Sequence, residues 1–268
     1  MRVSYASDQG VGADNEDHAA AGTNWAFVLD GATAPHGVDT GCRHGVRWLV
    51  GQLAGALTAE LSADRPERGR PLADLLAAAI ERTRAGHGAS CDLANPDSPS
   101  STAAVVRRTG AGFDYLLLAD STALFPAPDG GVTAVTDDRL DRLPGGRPYS
   151  PELVRAARNT PGGFWVAGTD PRAAHEAVTG SVPSTDGRFA LMSDGCSRLV
   201  EYYGHGWQAV WDRLVESGPA ALVAWVRAEE RRHGVPRGKP HDDATALVGA
   251  FPRPGRPAPG AEPAAAEG

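Results

Sequence analysis

The chain has 268 residues, 41% of them hydrophobic, and a formal net charge of -7. This length and apolar content suffice for one sizeable core, so we expect one folded domain. The acidic balance argues against a nucleic-acid partner, because neutralising phosphates needs a basic face. No stretch is apolar enough to span a bilayer and the N-terminus lacks signal-peptide features, so we expect a cytoplasmic protein with no membrane partner.

Short apolar runs typical of β-strands recur along the chain, many of them bounded by Gly, Pro or Asp. In chain order they are NWAFVLD, STAAVVRR, FDYLLLAD, TALFPA, GVTAVTD, FWVAG, GRFALMSD and ATALVGAF. Helical periodicity occurs at about 44–63, at 71–84 and at 207–233, with an interruption near Gly218 and Pro219. Because the helices do not alternate with the strands, the pattern favours antiparallel sheets with helices outside over a doubly wound parallel sheet.

The composition also sets the limits of the folded unit. From Pro252 onward the chain is rich in Pro, Gly and Ala and has little to bury. We therefore expect residues 1–251 to fold and residues 252–268 to form a disordered tail.

The cysteines predict neither a disulfide framework nor a zinc site. Cys42, Cys91 and Cys196 are few, odd in number and lack the spacing of a metal-ligand motif. We expect reduced thiols.

Several predicted strands end at a carboxylate. Asp30 follows the apolar run FVL, Asp120 follows YLLLA and Asp194 follows FALMS. Gly31 and Gly195 come next in two cases, and a glycine allows a close backbone approach to a ligand. An Asp-Gly pair taken singly is equally typical of a turn. The shared setting at strand ends favours a common site.

Other acids lie near the two termini of the folded unit. The run DNEDH holds Asp14, Glu16 and Asp17, and the run HDDATALV places Asp242 and Asp243 before the last strand. Two carboxylates about 5 Å apart repel by about 3 kcal/mol at an effective dielectric constant near 20, so convergence would require a cation. Oxygen ligands without a His or Cys cluster favour Mg²⁺ or Mn²⁺ over zinc. Two such ions can activate water and neutralise a phosphoryl oxygen, which predicts phosphomonoester hydrolysis.

Six motifs in this order resemble the metal-dependent serine/threonine protein phosphatases of type 2C, the PPM family. They are SDQGVGADNED, FVLDGAT, SSTAAVV, LADSTALF, FALMSDG and HDDATALV, and the likeness covers nearly all of residues 1–251. The resemblance implies an α+β fold, a four-layer α-β-β-α sandwich in which helices flank two antiparallel sheets. It also implies a phosphoprotein substrate, and we expect a bacterial-like, monomeric member.

The resemblance further implies a centre of two Mn²⁺ or Mg²⁺ ions. Asp30 would bridge both ions, and the carbonyl of Gly31 would bind one of them. Asp194 and Asp242 would hold the other ion.

Further residues are assigned supporting roles by the same resemblance. Glu16 and Asp17 would act through metal-bound waters, and Asp120 matches a position that binds a third ion in bacterial relatives. Thr245 aligns with the family threonine, which makes Asp242 the ligand and places Asp243 behind it. Asn15 would also lie behind the ligands.

The chain departs from the family pattern where positive charge is expected. Gly12 replaces the arginine that grips the substrate phosphate, and Thr122 replaces the arginine of the Gly-Asp-Ser-Arg motif. Arg43 and Arg158 are candidate substitutes, with solvated or structural roles as the alternative. His36 is the candidate general acid because an imidazole titrates near neutral pH, and a surface-loop histidine is its alternative reading.

Three functions therefore stay open. The leading one is a phosphoserine/phosphothreonine protein phosphatase. The loss of arginine at Gly12 leaves a pseudophosphatase that binds phosphoproteins with weak turnover as an alternative. A phosphatase of a phosphorylated small molecule is the third.

Overall fold

The structure is a computed structural model that describes residues 1–32, 34, 37–64 and 69–251. Within these ranges the strands are β1 (Arg2–Asp8), β2 (His18–Ala21), β3 (Trp25–Leu29), β4 (Gly31–Ala32), β5 (Ser100–Ser101), β6 (Ala103–Arg108), β7 (Gly112–Leu118), β8 (Thr122–Pro126), β9 (Val132–Thr136), β10 (Val178–Pro183), β11 (Arg188–Met192) and β12 (Ala244–Ala250). The α-helices are α1 (Val46–Ala63), α2 (Leu72–Gly86), α3 (Pro151–Ala157), α4 (Asp194–Glu201), α5 (Trp207–Ser217) and α6 (Pro219–His233). The tail expected at 252–268 lies outside the described residues.

The strands form two five-stranded antiparallel sheets and a short two-stranded one. One large sheet has the order β1-β12-β11-β8-β9, the other has the order β10-β7-β6-β3-β2, and β4 pairs with β5. Strand β1 pairs with β12 from Arg2 opposite Ala250 to Asp8 opposite Ala244. This register brings the N-terminal segment beside the residues that precede β12.

Burial on both faces explains why the central strands are apolar throughout. In β3, Ala26 and Val28 face the other sheet and belong to the core between the two sheets. Trp25, Phe27 and Leu29 point the opposite way, into a core shared with α1 and α2. Successive side chains of a strand alternate between its faces, so a strand covered on both faces loses the alternation of polar and apolar residues.

The helices form the two outer layers. α1 and α2 cover the sheet that contains β3, and α4, α5 and α6 cover the sheet that contains β12. The expected four-layer α-β-β-α sandwich is confirmed. Within the described residues, no helix has the length and apolar character needed to cross a membrane.

Among the described residues the sequence missed the two-residue strand β4 and three longer strands that lie at sheet edges, β1, β2 and β10. An edge strand packs less of its surface, so its residues need not form an apolar run. The strand expected at FWVAG is wrong. That segment makes only two isolated bridges, Arg158 to Phe164 and Ser101 to Ala167. Its apolar side chains are buried, but its backbone does not form a continuous ladder.

Candidate metal centre

Four aspartates meet in one pocket of about 380 Å³ at an end of the sandwich. Asp30, Asp120, Asp194 and Asp242 all line it, together with Gly31. Asp30 directly follows β3, Asp194 begins α4 and is separated from β11 by one residue, and Asp242 lies just before β12. The convergence of strand ends that the sequence predicted is therefore present.

Hydrogen bonds between these segments fix their positions. The backbone N–H of Asp194 donates to Oδ2 of Asp30 at 3.3 Å. The N–H of Thr102 donates to the carbonyl of Asp30 at 2.8 Å, and the N–H of Ser193 donates to the carbonyl of Thr245 at 3.0 Å. The carboxylates are thus held on rigid elements instead of on free loop tips.

The glycines after Asp30 and Asp194 allow the backbone to pack closely. A Cβ on Gly195 would lie 2.0 Å from the carbonyl oxygen of Asp243, and a Cβ on Gly31 would lie 2.4 Å from Cγ1 of Val46. Real Cβ contacts are not this short, so a larger residue would push the strand ends apart. The Asp-Gly pairs are therefore needed for the approach of neighbouring segments.

Burial and mutual repulsion raise the pKa values of the two central acids. The pKa of Asp30 is raised well above its ordinary value, first by burial and then by the charge of Asp194. The pKa of Asp194 is also raised well above its ordinary value, by burial and by the charges of Asp120 and Asp242, while Arg198 opposes the shift. A buried carboxylate with carboxylate neighbours is costly to ionise unless a cation accompanies it.

Asp17 and Asp120 experience the same environment less strongly. Burial is the main cause that raises the pKa of each to about 6. The hydroxyl of Ser193 donates to Oδ2 of Asp17 at 2.8 Å. Oδ1 of Asp17 is buried without a hydrogen-bond partner, which leaves one oxygen available for a ligand.

Asp242 is bound by two cations that the sequence did not indicate. Arg198 approaches its Oδ2 at 2.9 Å and Lys239 its Oδ1 at 2.8 Å. Arg198 also pairs at 2.8 Å with Glu230, whose carboxylate is fully buried. Arg198 lies one turn after Asp194 on α4, so its spacing in the sequence points to Asp194 and gives no signal for the contact with Asp242.

Asp243 and Asn15 organise the backbone around the pocket. The carboxylate of Asp243 accepts hydrogen bonds from the N–H groups of Gly10 and Glu16, each at 2.7 Å. Oδ1 of Asn15 accepts one from the N–H of Asp17 at 2.9 Å. Asp243 thereby ties the N-terminal segment to the residues before β12, and Asn15 stabilises the turn that leads into Asp17.

The two candidate phosphate-binding arginines have different positions. Arg158 lines the pocket with the aspartates and donates to the hydroxyl of Ser100 at 3.2 Å, whereas Arg43 is exposed and approaches His44 at 3.4 Å. Thr122 is buried in β8. His36 lies outside the described residues, so its role as a general acid stays a prediction.

The donor atoms fit a hard divalent cation. The acids that line the pocket offer only oxygen atoms, and the unpartnered Oδ1 of Asp17 is one more. Mg²⁺ and Mn²⁺ prefer carboxylate, carbonyl and water oxygens.

A protein-family profile described as Protein phosphatase 2C matches residues 6–227. The chain belongs to this family. By family it is a serine/threonine protein phosphatase, which confirms the resemblance seen in the motifs. No match is found among curated protein sequences.

Solved structures of phosphatases share this fold. The Mycobacterium tuberculosis serine/threonine phosphatase PstP/Ppp is 23% identical with a TM-score of 0.58, and the match covers 92% of this chain and 97% of the other. The catalytic domain of PstP in complex with two manganese ions is 21% identical with a TM-score of 0.58, covering 92% and 96%. The Streptococcus agalactiae serine/threonine phosphatase is 15% identical with a TM-score of 0.61, covering 93% and 99%. At these identities the likeness shows a shared fold.

Proposed function

We propose that this member of the phosphatase 2C family hydrolyses phosphoserine and phosphothreonine in proteins with the help of bound Mn²⁺ or Mg²⁺. The observation that carries the proposal is the convergence of four aspartates in one pocket. The raised pKa values of Asp30 and Asp194 support it, because the ionised form of each buried carboxylate is costly without a cation. Such an arrangement is typical of a metal site and has no evident use in packing.

The proposed ligands are those that the motifs indicate. Asp30, the carbonyl of Gly31, Asp194 and Asp242 would hold two ions. Glu16 and Asp17 would act through metal-bound waters, and Asp120 would bind a third ion. When bound, such ions would supply positive charge against phosphoryl oxygens and lower the pKa of a water molecule.

The chain's own residues would position these groups. The carboxylate of Asp243 fixes the backbone of Glu16, and the hydroxyl of Ser193 orients the carboxylate of Asp17. Arg198 directs one oxygen of Asp242. Partners that orient ligands in this way commonly change metal affinity or activity about 10–100-fold when they are removed.

Arg158 is the proposed contact for the substrate phosphate, in place of the arginine missing at Gly12. It lines the pocket, and its Nε is buried without a hydrogen-bond partner. Burial lowers the pKa of its guanidinium, a cost that an anionic ligand would offset. A guanidinium also matches the geometry of a phosphate through paired hydrogen bonds.

The proposal is tested by phosphate release from a phosphothreonine peptide with Mn²⁺. Asp30→Asn and Asp194→Asn keep the shape of each side chain but remove its charge, and we expect activity to fall more than about 100-fold. Asp129→Asn serves as the matched control because Asp129 lies in an exposed turn between β8 and β9. Equal activity in the wild type and both site variants would exclude the proposed mechanism.

The same assay separates the two arginines. Arg158→Ala should raise KM about 10-fold or more through the lost phosphate contact, and Arg43→Ala should leave KM unchanged. The reverse result would assign phosphate binding to the loop before α1.

The pseudophosphatase alternative is favoured by one observation. Positive charge is lost both at Gly12 and at Thr122. If calorimetry showed tight Mn²⁺ binding by the wild type, but phosphopeptides and phosphorylated small molecules were not hydrolysed, this alternative would replace the proposal.

A further inference from the structure

Two cysteines and two histidines form a second cluster, outside the pocket of the aspartates. The thiol–imidazole cluster consists of Cys42, His44, His87 and Cys91, whose potential ligand atoms all lie within 4.8 Å of one another. Cys42 and His44 precede α1, His87 ends α2, and Cys91 follows a short 3₁₀ turn at Gly88–Ser90. Four side chains from two distant segments therefore share one small volume.

The distances in the cluster approach those of a tetrahedral metal site. Sγ of Cys42 lies 3.6 Å from Nδ1 of His44 and 3.3 Å from Nδ1 of His87, and Sγ of Cys91 lies 3.4 Å from Nδ1 of His44. A tetrahedron with Zn–S near 2.3 Å and Zn–N near 2.0 Å has sulfur–nitrogen edges of about 3.5 Å. The two sulfur atoms lie 3.1 Å apart, somewhat closer than the corresponding edge of about 3.8 Å.

The surrounding structure orients the ligands. The ring of His44 stacks on Trp48 with centroids 3.9 Å apart, and Trp48 meets the ring of His87 edge-on at 4.7 Å. The N–H of His44 points at Sγ of Cys42 at 3.4 Å, an interaction that favours a thiolate. His87 is 1% exposed. Both imidazoles are thus held with Nδ1 towards the thiols.

The two loops that carry the cluster are also joined by their backbones. The N–H of Asp92 donates to the carbonyl of Gly41 at 2.7 Å, and the amide of Asn95 donates to the carbonyl of Asp39 at 2.9 Å. One loop leaves β4 and the other enters β5, and these two strands pair at the edge of the aspartate pocket. The cluster therefore joins two loops that lead away from the candidate active site.

We propose that Cys42, His44, His87 and Cys91 bind one Zn²⁺ ion as a structural site. Two thiolates and two imidazoles select zinc over Mn²⁺ or Mg²⁺, which prefer oxygen. Four protein ligands leave no open coordination position, which is typical of structural zinc and not of catalytic zinc. The ion clips the entrance of α1 to the exit of α2, whatever reaction the pocket performs.

The cysteines taken alone do not reveal this site, so the expectation of no zinc site is replaced by this proposal. Cys42 and Cys91 are 49 residues apart and do not belong to a Cys-x-x-Cys pair. The informative pattern is Cys-x-His before one helix and His-x-x-x-Cys after the next. Only the antiparallel packing of α1 on α2 brings the two halves together.

Metal analysis of the full-length protein, purified without added chelator and washed free of loosely bound ions, tests the proposal. We expect about one zinc per chain in the wild type and near-complete loss in Cys91→Ser and His87→Ala. Cys196→Ala and Asp194→Asn should both keep their zinc, because the first removes a thiol outside the cluster and the second alters the aspartate pocket. Zinc that is lost in Asp194→Asn but kept in Cys91→Ser would overturn the proposal.

A measurement on the wild type removes any dependence on how the variants fold. Protein in which Co²⁺ replaces zinc should show the visible bands of tetrahedral cobalt and thiolate-to-cobalt charge transfer. Zinc should also raise the Tm of metal-depleted protein by about 5 °C or more. Mn²⁺ bound at the aspartate pocket cannot reproduce the cobalt spectrum, because the charge-transfer band requires a thiolate ligand. Absence of the thiolate charge transfer, or a Cys42–Cys91 disulfide in protein isolated anaerobically, would refute the site.

Discussion

The aspartate pocket and the thiol–imidazole cluster differ in both chemistry and construction. The pocket offers oxygen atoms delivered by the ends of core strands, whereas the cluster offers sulfur and nitrogen from two loops beside a pair of helices. The first donor set suits hard ions that exchange water and substrate, and the second suits an ion that stays in place. One fold thus supports two kinds of site, which differ in the rigidity of the elements that build them.

Close backbone packing also distinguishes the pocket from the exposed surface of the helices. Around the pocket, segments distant in sequence approach until only glycine fits, as at Gly195. On the exposed face of α1, a Cβ on Gly51 would meet nothing within 4 Å. Precision at the pocket therefore depends on backbone contact.

A matched pair of glycine substitutions gives the largest expected change in stability. Gly195→Ala should lower the free energy of unfolding by about 3 kcal/mol, because the new methyl group would overlap the carbonyl of Asp243. Gly51→Ala, in the middle of an exposed helix face, should raise it by about 0.5–1 kcal/mol. Urea unfolding monitored by circular dichroism measures both. Equal effects of the two substitutions would show that the pocket is not tightly packed.

The pH dependence of stability should give a smaller effect, confined to the pocket. In protein free of Mn²⁺ and Mg²⁺, Asp17 and Asp120 have pKa values raised to about 6, against about 3.9 in the unfolded chain. Between these values the folded state binds more protons than the unfolded state, so stability falls as pH rises. With allowance for solvent access, the loss between about pH 4 and pH 6.5 is about 2 kcal/mol.

Urea unfolding across this pH range, with and without Mn²⁺, measures the effect. Added Mn²⁺ should flatten the fall, because a bound cation stabilises the ionised carboxylates. Asp17→Asn should reduce the fall, and the rest should come from Asp120, Asp30 and Asp194, whose pKa values are also raised. Stability that rises with pH over this range, with or without the ion, would contradict the assignment of protons to these acids.

Most of the fold could be predicted from the sequence because the central strands are buried on both faces. Runs such as FVL and FALM are apolar throughout, and their short length favours a buried strand over a buried helix. The edge strands β1, β2 and β10 could not be predicted, since their packing is set by neighbours distant in sequence. The segment FWVAG shows the converse error, since a strand was expected there and its apolar residues pack without a continuous ladder of backbone hydrogen bonds.

The candidate site was predictable in its acids and not in its cations. Asp30, Asp120 and Asp194 stand at strand ends, a position that local sequence reveals. Arg198 and Lys239 reach Asp242 from α4 and from the loop before β12, and only tertiary structure shows which carboxylate an arginine or lysine meets. The same limit concealed the thiol–imidazole cluster, whose halves lie on either side of two helices.

X-ray diffraction from crystals soaked in Mn²⁺, recorded at both the manganese and the zinc absorption edges, tests the central claim most directly. We predict anomalous manganese peaks among Asp30, Asp194 and Asp242, and a zinc peak only among the four Cys and His residues of the cluster. A pocket that stays without manganese, with its carboxylates turned away from any shared ion, would contradict the account.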